Sequence, residues 1–261
     1  MANDGDDRLR NVLIGLAALG VVAIIAVVAL VVLGGDDDEE PPATTTTPET
    51  TEAPPETTTS TPETTTTTEE TEGGLPLDEA GLVVWPDPAS DVRYAEAQEA
   101  AQGFAEELVG FTDPIYGELR EGDAGSGEVP VRPLEDGPET IVLVRQLSDD
   151  NWWVIGAVTD QIQLEEPLPG SAIVDPVFLF GQASAFEGTV QVSILRRGDT
   201  EPVGEGVVTG SGTEELGPFE GEVSFEDPGE GAGVVMLYVL SAEDGSVWQA
   251  TAIPVSFVGG Q

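Results

Sequence analysis

Hydrophobic and polar positions divide the chain into five stretches of different pattern. Residues 12–33 read VLIGLAALGVVAIIAVVALVVL, without a single charge. A helix of that length spans roughly 33 Å, against a hydrocarbon core of about 30 Å. The run is longer than a signal-peptide h-region and lacks a small-x-small ending, so it predicts an uncleaved transmembrane helix. Residues 34–74 follow with Thr, Pro and Glu and almost nothing apolar. Such a segment cannot bury enough surface to offset its ordering entropy, and it predicts a disordered stalk.

From residue 75 the pattern turns globular. Within residues 90–111, Ala97, Ala101, Phe104, Ala105 and Leu108 fall on one helical stripe. Ser90 or Asp91 is placed to cap its start and Gly110 its end. Strand-like runs occupy residues 128–132, 140–146 and 151–157, and SDDN between the last two predicts a hairpin. One helix on a small antiparallel sheet makes residues 75–160 a small α+β domain. Trp152 and Trp153 must face opposite sides of their strand, one in the core and the other packed against a neighbour or open as a platform.

From residue 161 short apolar runs recur every 8–12 residues between Gly, Pro and Asp turns, the pattern of a β-sandwich. Eight strands are expected, at residues 162–165, 172–174, 177–184, 189–196, 206–209, 221–225, 234–241 and 247–257. Val190, Val192 and Ile194 alternate with polar neighbours, whereas VVMLYVL is continuously apolar and suits a central strand buried on both faces. The organisation is therefore a tail over 1–11, a transmembrane helix over 12–33, a disordered linker over 34–74, the α+β domain over 75–160 and an all-β sandwich over 161–261.

Charge sets the topology. Arg8 and Arg10 flank the span on one side, and no base follows it until Arg93. Bases stay on the cytoplasmic side, so residues 1–11 are expected inside the cell and the rest outside. The net charge is −42, from 50 acids and 8 bases, and the chain has no Lys, His or Cys. Histidine relays, Schiff bases, the usual zinc sets and disulfides are thereby excluded. Nucleic acid is not an expected partner, because phosphate neutralisation needs clustered cations.

PLPGSAIVDPVFLFGQASAFEGTVQVSIL, GPFEGEVSF and SAEDGSVWQATAIPVSF carry a further signal. Together, over about residues 162–258, they resemble the immunoglobulin-like domain of bacterial spore germination. The pieces that carry the resemblance are Ser171 to Pro176, Gly181 ahead of Phe186 and Glu187, the Gly217, Pro218, Phe219 step, and Asp244 with Gly245 before the last strand. The resemblance implies an immunoglobulin-like sandwich and brings no catalytic residues with it. The layout of anchor, stalk and two domains resembles actinobacterial envelope proteins.

The remaining chemistry is thin. Fifty acids make chance carboxylate pairs inevitable, and no Asp-Thr-Gly occurs. No catalytic or cofactor-binding residue is assigned. Oxygen-rich SDDN (Ser148 to Asn151) and EDG (Glu243 to Gly245) are the candidate calcium clusters, although such residues commonly bond their own backbone. GEGVVTGSG over 204–212 reads as a strand connection rather than a phosphate loop. Arg196 and Arg197 could pair with surface acids or dock an anionic wall polymer. Two Phe-Glu-Gly stretches, at 186–188 and 219–221, read as strand-entry devices: Phe186 and Phe219 plug the sandwich, Gly188 and Gly221 turn the chain, and Glu187 and Glu220 face solvent or cap backbone amides.

The sequence thus predicts a non-catalytic, single-pass envelope protein at the cell membrane, with an envelope protein or the cell wall as partner. The alternative is an extracytoplasmic binder of a small ligand or Ca2+ through residues 75–160.

Overall fold

The computed structural model describes residues 70–123 and 125–259. The expected span over 12–33 and most of the linker lie outside them. Among the described residues no helix is long and apolar enough to cross a membrane. Order begins before the expected boundary at 74/75. Strand β1 (Thr71–Glu72) pairs with β2 (Leu75–Pro76) across Gly73 and Gly74, and a short helix α1 (Leu77–Ala80) follows. Leu75 packs with Trp153 and Leu147, and two polar contacts also hold this hairpin to the body. Arg93 donates to the Gly73 carbonyl, and the Glu72 carboxylate receives the Arg197 guanidinium.

Helix α2 (Ala97–Gly103) continues as a π-helical turn over Phe104–Val109 and stops at Gly110, whose φ of 85° closes it. The whole expected stripe is buried, with Ala100 and Val109 added. The start is later than expected. Neither Ser90 nor Asp91 caps the helix, because Tyr94 is taken by a strand: Trp152 N–H donates to its carbonyl at 2.9 Å. Ser90 instead closes a turn onto the Asp87 carbonyl.

Two minimal strands that sequence periodicity misses, β3 (Ile115–Tyr116) and β4 (Arg120–Glu121), precede β5 (Ser126–Arg132), β6 (Thr140–Gln146) and β7 (Trp152–Thr159). The hairpin of β6 and β7 forms as expected, with a register shift at Leu143/Val144. The eight later strands all appear. They are β8 (Ile162–Glu166), β9 (Ala172–Ile173), β10 (Val177–Ala183), β11 (Thr189–Arg196), β12 (Gly204–Thr209), β13 (Gly217–Val223), β14 (Gly231–Leu240) and β15 (Val247–Phe257).

The main ladder runs β12-β11-β14-β15-β7-β6-β5-β3. Strands β8, β10 and β13 form the opposing layer of a sandwich. Alternation decides which side each residue serves. Val190, Val192 and Ile194, Val235, Leu237 and Val239, and Ile253, Val255 and Phe257 meet Leu179, Phe219 and Val223 in the sandwich core. Val234, Met236, Ala250 and Ala252 point the other way and join the α2 residues with Val129, Val131, Val142, Val144 and Val154. The apolar run in β14 is therefore buried on both faces, as its pattern predicts. Small residues at Ala97, Ala100, Ala101 and Ala105 bring α2 close to the sheet, and Phe104 fills the space that remains.

The join between the two halves is a seam of side chains. Strands β7 and β15 share one register pair, Ala252 with Ala157, and β7 meets β8 at Thr159 with Ile162. Buried polar groups supply the other bonds. Ala250 N–H donates to Thr140 Oγ1 at 3.0 Å, and Thr251 Oγ1 donates to the Ile162 carbonyl at 3.1 Å. The fully buried Gln249 accepts from Thr159 Oγ1 at 2.9 Å and donates to Gln161 Oε1 at 2.8 Å. An unpaired buried donor costs its full desolvation, so each bond matters more than its net strength. Gln249→Ala is expected to destabilise the protein by about 2 kcal/mol in chemical denaturation, since it strands the Thr159 hydroxyl. A loss below about 0.5 kcal/mol would show that the seam tolerates the gap.

Candidate functional site

The two Phe-Glu-Gly stretches end in different places. Phe219 lies inside β13 and is buried, as expected of a core plug. It pairs across the sheet with Gly181, and a Cβ at Gly181 would stand 2.8 Å from the Phe219 ring and 2.1 Å from the Gln163 carbonyl oxygen. The Gly181 and Gly217-Pro218-Phe219 pieces are thus two sides of one contact. Phe186 corrects the expectation: it is 66% exposed and plugs nothing. It sits in a single 3-10 turn, Phe186–Gly188, between β10 and β11. Gly188, with φ 72°, delivers the chain into β11 as expected, whereas Gly221 lies in mid-strand. Glu187 and Glu220 are both exposed.

Glu187 itself holds φ 55° and ψ 15°. The left-handed region costs a residue with a Cβ roughly 1–2 kcal/mol. Asp113 (φ 47°) on the loop after α2 and Asp150 (φ 62°) in the β6–β7 turn share the feature, although Asp adopts it more readily than Glu. Strain of this kind concentrates where a loop holds a particular shape for a purpose.

These loops converge. A cleft of about 760 Å³ opens between Thr112, Leu134, Phe186, the β14–β15 turn at Glu243 and Asp244, and Trp248. Leu134 is exposed like Phe186, and Trp248 backs the floor from the sandwich core. Its volume falls in the range of about 300–1,000 Å³ typical of binding clefts. Glu243 and Asp244 line the cleft, Asp113, Glu135, Asp136, Glu139 and Glu187 lie on the same bordering loops, and no Arg does. Asp244 accepts from the Ser246 hydroxyl at 2.8 Å and the Ser246 N–H at 3.1 Å. Those bonds hold its carboxyl below the usual range and keep it ionised. The pattern that marks this site in the sequence is an apolar residue next to an acid in each of two turns, Leu134 with Glu135 and Phe186 with Glu187. It passes unnoticed because both aromatics of the repeat look like core.

The expected clusters have structural partners. Burial raises the Asp149 carboxyl, but side-chain bonds from Asn151 and Trp153, the Asn151 N–H and the Arg93 charge outweigh it and hold the group low. The Arg93 guanidinium also lies 4.9 Å from the Trp153 ring centroid. Trp153 is fully buried with Leu75, Ala80, Val83 and Leu147, while Trp152 packs half-buried on the opposite face, near α2. Ser148 turns to Glu79. Among the described residues no group of three or more acids gathers to hold a metal ion. Residues 204–209 are strand β12. Arg197 is buried against Glu72, Asp87 and the Ala80 carbonyl, and Arg196 donates to the Pro228 carbonyl. The basic pair therefore serves local structure.

Residues 161–246 match the family model for the immunoglobulin-like domain of bacterial spore germination. The chain carries such a domain. The match covers β8 to the β14–β15 turn, so the Phe186 turn and the acidic turn of the cleft both lie within the immunoglobulin-like domain, whereas Leu134 and Thr112 lie outside it. Strand β15 completes the sandwich core beyond the matched residues. No curated protein and no solved structure matches the chain.

Phe219→Ala is expected to cost about 3–5 kcal/mol of stability, and Phe186→Ala less than about 0.5 kcal/mol. Thermal denaturation of the two variants checks this, and equal losses would return Phe186 to the core.

Proposed function

We propose that the protein is a non-catalytic cell-envelope protein, anchored by a single membrane span, that presents its immunoglobulin-like domain for binding or scaffolding outside the membrane. The observation that carries the binding role is the cleft: exposed Phe186 and Leu134 at its rim, with strained Glu187 on the Phe186 turn and strained Asp113 next to Thr112. Loops on a rigid β scaffold are where recognition residues collect. A cleft that sets exposed apolar side chains beside acids has the makings of a docking surface.

Anchoring is supported by the sequence. The uncharged run over 12–33 has Arg8 and Arg10 on one side and the acidic GGDDDEE on the other. The Thr, Pro and Glu stretch beyond it would hold the folded part away from the membrane. The absence of His, Lys and Cys removes the commonest catalytic groups. A membrane, and an envelope protein or the cell wall, are the partners in this reading, and nucleic acid is not.

A tag at the C-terminus is expected to be cleaved by protease added to intact cells, while a tag at the N-terminus is protected. A protected C-terminal tag contradicts the proposed topology.

A further inference from the structure

The exposed aromatic, the strained loops and the acids of the cleft have a common explanation. Phe186 is too exposed to stabilise the sandwich, yet its turn is fixed from both ends. Gly188 N–H donates to the Ala185 carbonyl at 2.8 Å, and Gly210 N–H donates to the Gly188 carbonyl at 2.9 Å. The β14–β15 turn is closed by Asp244 onto Ser246, leaving Glu243 exposed beside it. A cleft framed by fixed turns is preorganised, so an occupant meets little ordering cost. Its bordering loops carry seven acids and no base, only Glu139 of them ion-paired, on a chain of net charge −42. Any acidic occupant would meet the same repulsion twice.

We infer that this cleft docks a segment of a partner protein that inserts an apolar side chain and sets Lys or Arg against Glu243, Asp244 and Glu187. The inference deepens the binding role proposed above and depends on the membrane topology only for where the partner is met. Charge complementarity selects this occupant. A second copy of the chain has no Lys and brings its own excess of acids. An anionic wall polymer would meet Glu243 and Asp244 and no cation among the residues that line the cleft. A second depression, beside Tyr116 and Leu119, holds Arg120 and Arg132, but both guanidinium groups share Glu139.

The test is selection of a random short-peptide library displayed on phage against the full chain in lipid nanodiscs. Enriched peptides are expected to pair an apolar residue with adjacent Lys or Arg. For a selected peptide, Phe186→Ala should weaken binding about tenfold without moving the melting temperature. Glu243→Gln combined with Asp244→Asn should weaken it about threefold and flatten its salt dependence. Val207→Ala, which trims an exposed apolar residue outside the cleft lining, should leave binding unchanged. The inference is overturned by a library that yields no enrichment, by enriched peptides without basic residues, by equal losses in Phe186→Ala and Val207→Ala, or by a cleft that takes soluble wall glycan fragments instead. Failure here with a protease-accessible C-terminal tag rejects the docking chemistry alone. Enrichment with a protected tag rejects the topology alone.

Discussion

Strands β14 and β15 have no solvent face, and the rest of the structure follows from covering both of their sides. One side closes against β10 and β13 as a sandwich. The other needs an apolar lid, which α2 supplies, together with the flanking sheet of β5, β6 and β7. Neither the helix nor the seven-residue β5 and β6 would bury enough surface alone. The sandwich with its second face bare would expose Val234, Met236, Ala250 and Ala252. Each half is the other's missing layer, and the polar seam of Thr140, Thr159, Gln249 and Thr251 fixes how they meet.

That arrangement also builds the cleft. The Phe186 and Glu243 turns come from the sandwich side, Thr112 and Leu134 from the helix side. A shared core holds the four loops at fixed separation, so a site composed from both halves stays in shape without a disulfide. The acidity of the chain then acts on top of this geometry. In the proposed docking, it would set the sign of the partner's charge and speed its approach, while Phe186, Leu134 and Trp248 would supply the grip.

Much of this was legible in residues. The α2 stripe, the β6–β7 hairpin, the eight later strands and the doubly buried β14 all follow from periodicity, and the immunoglobulin-like domain was legible as a resemblance to a known family. What periodicity could not reach were facts of tertiary pairing. Tyr94 belongs to a helical pattern until Trp152 claims its carbonyl. The pairing of β15 with β7 joins residues far apart in sequence through a single register pair, which leaves no local mark. Phe186 and Phe219 share a tripeptide, yet only Phe219 faces a glycine across a strand. The strained φ of Glu187 was invisible for the same reason, since Glu carries no propensity for that region.

The central claim is that the helix–sheet half and the sandwich half share one core. Native-state hydrogen exchange of the full chain across rising denaturant tests it most directly, because it reports the opening free energy of each strand separately. The shared core predicts that amides of β6 and β14 exchange through one common opening with the same free energy and denaturant dependence. A distinct, lower-energy opening of β5, β6 and β7 that leaves β11, β14 and β15 protected would contradict it.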